Sequence, residues 1–404
     1  MDRTRFETIL HYLYCIRPAR LVAVYLVVIS LAILLSCGGY SAPVLDPLPP
    51  SPSPPMGWNS WYAFGESISD SLIRQQADAM IANGMYKAGY NYVNVDDGWQ
   101  GDRDASGVLH SNSNFPDMKA LADYIHARGL KFGIYTSTGV KSCGGLVGSR
   151  GHEEQDAQTF LNWGADLVKY DAICDYKTDE ATQRSLIRKM SVALRSGETH
   201  PILFSIVMLH SPWDWARSQA VNMWRITPDA TDTYADMMRT ADVDAGLTRY
   251  SSNVGWNDPD MLQVGRGGMT TEEYRTHMTL WAMLEAPLLS GTDLRSISPS
   301  DLEILINADA IAINQDIEIY QARRVFHTSS LDVWVKTLST GSAVAFINRG
   351  EQSTTLMVNG IDLGTNGLPV YEVWTKQTVS LPHSFTLPAH GCVLLKTLPL
   401  SQVR

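Results

Sequence analysis

The residues of this 404-residue chain that could do chemistry are mostly carboxylates set just after short apolar runs. "DLVKYD" ends in Lys169, Tyr170 and Asp171. "YVNVDDGW" carries Asp96 and Asp97, "WRITPD" carries Arg225 and Asp229, and "NDPDML" carries Asp260. Taken alone, a Lys-x-Asp is a local salt bridge. The recurrence changes the reading, because runs that are neighbouring strands would bring these groups to one rim. Trp58 and Tyr135 end two further runs of the same kind. Carboxylates accept from hydroxyls, cations donate to them, and an indole covers an apolar C–H face. The set suits a small, neutral, hydroxyl-rich ligand. Two carboxylates on opposite sides of a glycosidic bond could also hydrolyse it.

Such a rim needs a frame. From Met56 onward, strand-like runs alternate with helix-like stretches: "YNYVNV" before Met118–Ala127, "KFGIYTS" before "EEQDAQTFLNWG", "DLVKYD" before "ATQRSLIRKMSVAL". Eight such units predict an α/β fold, a (β/α)8 TIM barrel over residues 55–320. In that fold the C-terminal strand ends carry the site. An open doubly wound sheet is the alternative, but no Gly-x-Gly-x-x-Gly follows a strand. Short alternating runs between Gly, Ser, Asn and Pro predict a C-terminal antiparallel β-sandwich over 321–404.

Composition limits the partners. Hydrophobic content of 45% and charged content of 18% suit a large core, and a net charge of −10 without a basic run argues against nucleic acid. Residues 1–40 read as an export signal or anchor: Arg17 and Arg20, an apolar run from Leu21 to Leu35, then small residues. "LLSC" ending at Cys37 has the form of a lipoprotein processing site. Residues 41–54 are a Pro-rich linker. The reading is therefore an exported protein, secreted, periplasmic or surface-anchored, touching a membrane only through this segment. It allows a homo-oligomer. No spacing matches a zinc site, so no metal is expected.

The segments "PPMGWNSW", "VDDGWQ", "KFGIYTSTG", "CGGLVGS", "LVKYD", "WRITPDATD", "GWNDPDML" and "APLLSGTDL" resemble, in order, glycoside hydrolase family 27. That family comprises α-galactosidases and α-N-acetylgalactosaminidases. The resemblance implies a retaining hydrolase acting on α-galactoside oligosaccharides or polysaccharides, with sibling specificities (α-N-acetylgalactosaminidase, β-L-arabinopyranosidase) and a non-catalytic sugar-binding protein as the alternatives. It implies Asp171 as nucleophile, Asp229 as acid/base and no cofactor. Trp58, Asp96, Asp97, Tyr135, Lys169, Arg225 and Asp260 would bind the sugar. It also implies a disulfide between Cys143 and Cys174. The chain departs from the family after "FSIV": Val207 and Val221 stand where cysteines are common. Met208 falls at the position expected for a glutamate near the sugar's 2-hydroxyl.

Overall fold

The structure, a computed structural model, describes residues 53–196, 202–208, 210–360 and 369–397. The export segment and nearly all of the Pro-rich linker lie outside them. Among the described residues no helix is long and apolar enough to cross a membrane.

The frame is the predicted barrel. Its strands are β1 (Met56–Asn59), β2 (Tyr92–Val95), β5 (Lys131–Ser137), β6 (Leu167–Asp171), β7 (Leu203–Val207), β8 (Met223–Arg225), β9 (Trp256–Asp258) and β10 (Leu288–Ser290). A small hairpin, β3 (Gln100–Arg103) and β4 (Leu109–Ser111), interrupts the series. The eight form one sheet in the order β10-β1-β2-β5-β6-β7-β8-β9, paired in parallel. The remaining seam is bridged by Leu262, which pairs in parallel with Ser290. Its amide donates to the Leu289 carbonyl at 2.8 Å and its carbonyl accepts from Gly291 at 3.0 Å.

Helices start where the sequence supplies a cap. Ser69, Asp117, Asp179 and Thr233 each accept a backbone N–H from the first turn of the helix they precede. Thr270 and Glu273 form a full capping box. The unit after β7 differs from the strand-then-helix expectation. Two short 3-10 turns, Pro212–Asp214 and Ala216–Gln219, stand there. Ser211 (φ 43°) and Ala220 (φ 57°) sit in the left-handed region at their outer ends, which stops a longer helix from running through.

Strand parity then sorts the side chains. Val93, Val95, Phe132, Ile134, Val168, Tyr170, Phe204, Ile206 and Trp224 point outward into the main core under the helices. Tyr92, Leu167, Met223, Trp256 and Leu289 point inward and plug the barrel.

The C-terminal domain has a six-stranded antiparallel sheet and a two-stranded one, β14 (Thr354–Val358) with β17 (His383–Leu387). Val344, Phe346, Phe385, Leu387, Val393 and Leu395 fill a core between them. The opposite face of the larger sheet carries Trp334, Ala343, Ala345, Ile347 and Leu394 into the main core. The sandwich is thus welded to the barrel through the helix Thr271–Met283 and the residues after it.

Candidate active site

The inward parity of each strand continues to its C-terminal end, and there the charges begin. On β6, Leu167 plugs the barrel, Lys169 lies one layer higher and Asp171 tops the strand. The β5–β6 register sets Tyr135 beside Lys169 and Ser137 beside Asp171. Asp96, just past β2, accepts from Lys169 Nζ at 2.8 Å and from Asn59 Nδ2 at 2.7 Å. Lys169 therefore pairs across the mouth with Asp96 rather than within its own motif. Burial opposes its charge, but Asp96, Asp171 and Asp229 outweigh burial and raise its pKa.

Asp171 is 6% exposed. One carboxylate oxygen accepts the Ile173 amide at 2.8 Å. Burial pushes its pKa up to about 6, against the pull of Lys169 and of that amide. Loops brace it on both sides. Cys143 and Cys174 form a disulfide. Gly144 donates its amide to Asp97 at 2.8 Å, and Gln100 donates to the other oxygen of Asp97 at 2.9 Å. Asp97, 1% exposed, thus ties the disulfide loop to β2. Tyr135, 1% exposed, lies on the inner face with Lys169 Nζ 5.2 Å from its ring centroid.

Across the mouth, Arg225 at the end of β8 is 3% exposed. Its Nη2 forms an ion pair with Asp260 at 2.7 Å and donates to Asp229 at 3.1 Å. The Asp229 side chain remains 52% exposed. Asp260 adopts φ 80°, and its amide donates to Asp258 at 2.9 Å, a turn that aims its carboxylate back at Arg225. Burial holds Asp258 up at about 6 despite Arg225. Lys169, Val207, Arg225, Asp258, Asp260 and Met261 are among the walls of a narrow pocket that opens to solvent.

Two sequence readings need correction. Trp58 has no exposed surface. It faces outward, its indole N–H donating to the Thr292 carbonyl at 2.7 Å, so it offers no ring face to a ligand. Parity is the reason: Asn59 takes the inward position on β1. The indole on the inner side belongs to Trp61, which packs against the barrel plug. Met208 is likewise turned into the outer core, 1% exposed. Val207, in register with Asp171, forms the pocket wall. Asn59, Trp61, Asp258 and Val207 were not selected from sequence. Once one inward residue of each strand is known, counting by two reaches Asn59, Asp258 and Val207.

Among the described residues one carboxylate–histidine group, Asp242, His327 and Asp332, has ligand atoms close enough for a metal ion. Arg349 donates to Asp242 at 2.8 Å and to Asp332 at 2.7 Å, and Arg324 also pairs with Asp242. Guanidinium groups already answer these charges, so the group is an ion-pair network between barrel and sandwich.

A family model described as "Alpha galactosidase A" matches residues 53–316, and one described as "Alpha galactosidase C-terminal beta sandwich domain" matches 328–397. The α-galactosidase of Cyamopsis tetragonoloba is 40% identical over 362 residues, covering 86% of this chain and 87% of its own. The α-galactosidase A of Cellvibrio japonicus is 38% identical over 378 residues, covering 86% and 92%. The crystal structure of α-galactosidase I from Mortierella vinacea superposes with a TM-score of 0.81 at 32% identity, covering 86% of this chain and 98% of that one. With both of its domains matched in order and 40% identity over 362 aligned residues to one such relative, the chain belongs to glycoside hydrolase family 27.

Proposed function

We propose that the chain removes terminal non-reducing α-D-galactosyl residues from oligosaccharides or polysaccharides by double displacement at Asp171 and Asp229. One observation carries the reading: the two carboxylates on this rim have opposite surroundings. Asp171 is buried at 6% exposure between Lys169 and a backbone amide, while the Asp229 side chain is 52% exposed beside Arg225. A nucleophile gains from desolvation and a fixed direction. An acid/base must meet both the leaving group and the incoming water.

In the first step a carboxylate oxygen of Asp171 bonds to the anomeric carbon. The glycosidic bond breaks toward the leaving oxygen, which takes the proton of Asp229. In the second step Asp229, now ionised, takes a proton from water as that water's oxygen attacks the anomeric carbon. The bond to Asp171 breaks and retention results. Asp96, Lys169, Arg225, Asp260 and the half-buried Trp61 surround the space where the sugar's hydroxyls and apolar face would lie. The names of the relatives support galactose as the sugar. The Cys143–Cys174 disulfide supports folding in an oxidising compartment.

Initial rates on a panel of aryl glycosides test this, with fastest turnover expected on the α-galactoside. Asp171→Asn should keep the melting temperature and lower kcat by about 10⁴-fold or more, a loss of roughly 5 kcal/mol in transition-state stabilisation. A fluoro-galactosyl inhibitor should label the peptide containing Asp171. Label on another carboxylate would overturn the assignment.

A further inference from the structure

Tyr62, three residues past β1, reaches across the mouth to the segment that carries Asp229. Its hydroxyl donates to Asp260 Oδ2 at 2.5 Å and accepts the Ala230 amide at 2.7 Å. An amide can only donate, so the phenol proton must point at Asp260 and the direction of both bonds is set. The same Asp260 oxygen accepts the Ala230 amide at 2.9 Å and pairs ionically with Arg225 Nη2 at 2.7 Å. Arg225 Nη2 in turn donates to Asp229 Oδ1 at 3.1 Å. Asp229 is therefore held twice. Arg225 holds its carboxylate, and Tyr62 with Asp260 holds the peptide that follows it.

Tyr62 is itself fixed. Gly291 leaves room for it: a Cβ there would lie 3.0 Å from two of its carbons. The Arg266 guanidinium stands over the ring, 5.0 Å from its centroid, and donates to the Tyr62 carbonyl at 2.9 Å. Burial, then the charge of Asp260, raises the phenol's pKa, so it stays a donor at working pH.

We propose that Tyr62 is a positioning residue for the acid/base: its hydroxyl holds the Ala230 peptide, and through it the exposed Asp229 carboxyl, at the distance from Asp171 that proton transfer to the leaving group requires. The inference rests on Asp229 being the acid/base. Asp229 sits on an exposed loop after a three-residue strand, so backbone anchoring from another element is what limits its reach.

The test compares Tyr62→Phe with Asp229→Ala on two α-galactosides, a dinitrophenyl one whose leaving group departs without a proton and a methyl one that needs it. Tyr62→Phe should lower kcat/KM about 10-fold on the methyl galactoside, the worth of one lost hydrogen bond, and less than about 3-fold on the dinitrophenyl one. Gly291→Ala, which keeps the hydroxyl but displaces the ring, should show the same split. Equal losses on both substrates, or none, in both variants would overturn the proposal. Asp229→Ala tests the underlying reading separately. Azide should restore its turnover of the dinitrophenyl substrate and give galactosyl azide of retained configuration. Absence of that product would remove Asp229 as acid/base whatever Tyr62→Phe shows.

Discussion

Asp171 and Asp229 share a side chain and differ in everything around it. Burial raises Asp171 to about 6, and Lys169 is the strongest influence holding it down. This predicts the acid side of the pH profile. Asp171 attacks only when ionised, so kcat/KM should fall as pH drops through about 6, tenfold per unit below it. Removing Lys169 withdraws the stabilising charge, so Lys169→Met should move that limb to higher pH. It should also weaken binding, because Asp96 loses its partner across the mouth. Rates measured from pH 4 to 8 on the aryl α-galactoside decide it. A limb that stays in place in Lys169→Met would show that burial alone sets the nucleophile.

At the scale of the element, one residue of parity separates a binding position from a core position. Val207 and Met208 are neighbours at the end of β7, yet Val207 lines the pocket beside Asp171 and Met208 packs under the helices. C2 of the sugar is bonded to the carbon that Asp171 attacks, so the wall next to Asp171 is where a change at C2 should be felt. Val207→Ala should alter the ratio of rates on α-galactoside and α-N-acetylgalactosaminide at least severalfold, with the melting temperature nearly kept. Met208→Ala should leave that ratio unchanged and cost about 2–5 kcal/mol of stability through the cavity it opens. Denaturant titration and paired kcat/KM values would expose the reverse pattern.

For the whole molecule, the sandwich is attached through a buried charge. Lys336 on β12 (Leu331–Leu338) pairs with Glu285, and both side chains are fully buried. Lys336 Nζ also donates to the Ala282 carbonyl at 3.2 Å. Val333 and Val335 alternate with it and face the sandwich core, so Asp332, Trp334 and Lys336 lie on the face of this strand turned toward the barrel. Burial pushes Glu285 up to about 7 against the pull of Lys336. Lys336→Met strands that carboxylate and should cost about 3–5 kcal/mol. Adding Glu285→Gln should recover most of the loss. A double-mutant cycle by denaturant unfolding measures the coupling, and additive losses would count against the pair. Activity should follow stability here, since the pair lies outside the mouth.

Much of the architecture was legible in one dimension because it repeats. Strand-like runs alternating with capped helices can close only a few ways, and a carboxylate after one run after another implies a common rim. Asp96, Lys169, Asp171, Arg225, Asp229 and Asp260 were accessible to this logic, since each follows or ends a run that is buried on both faces. What the sequence could not settle was which way a side chain at a strand's edge turns. Trp58 and Met208 are apolar groups at positions where either face of the strand is apolar, so only closure of the barrel decided that both turn outward and that Asn59 and Val207 turn in. The partners of the charges were tertiary decisions as well. Lys169 lies two residues from Asp171 in the chain but pairs with Asp96, because the closed barrel turns the ends of β2 and β6 toward each other over β5. Tyr62 reaches Ala230 across 168 positions of chain, a contact that no local pattern encodes.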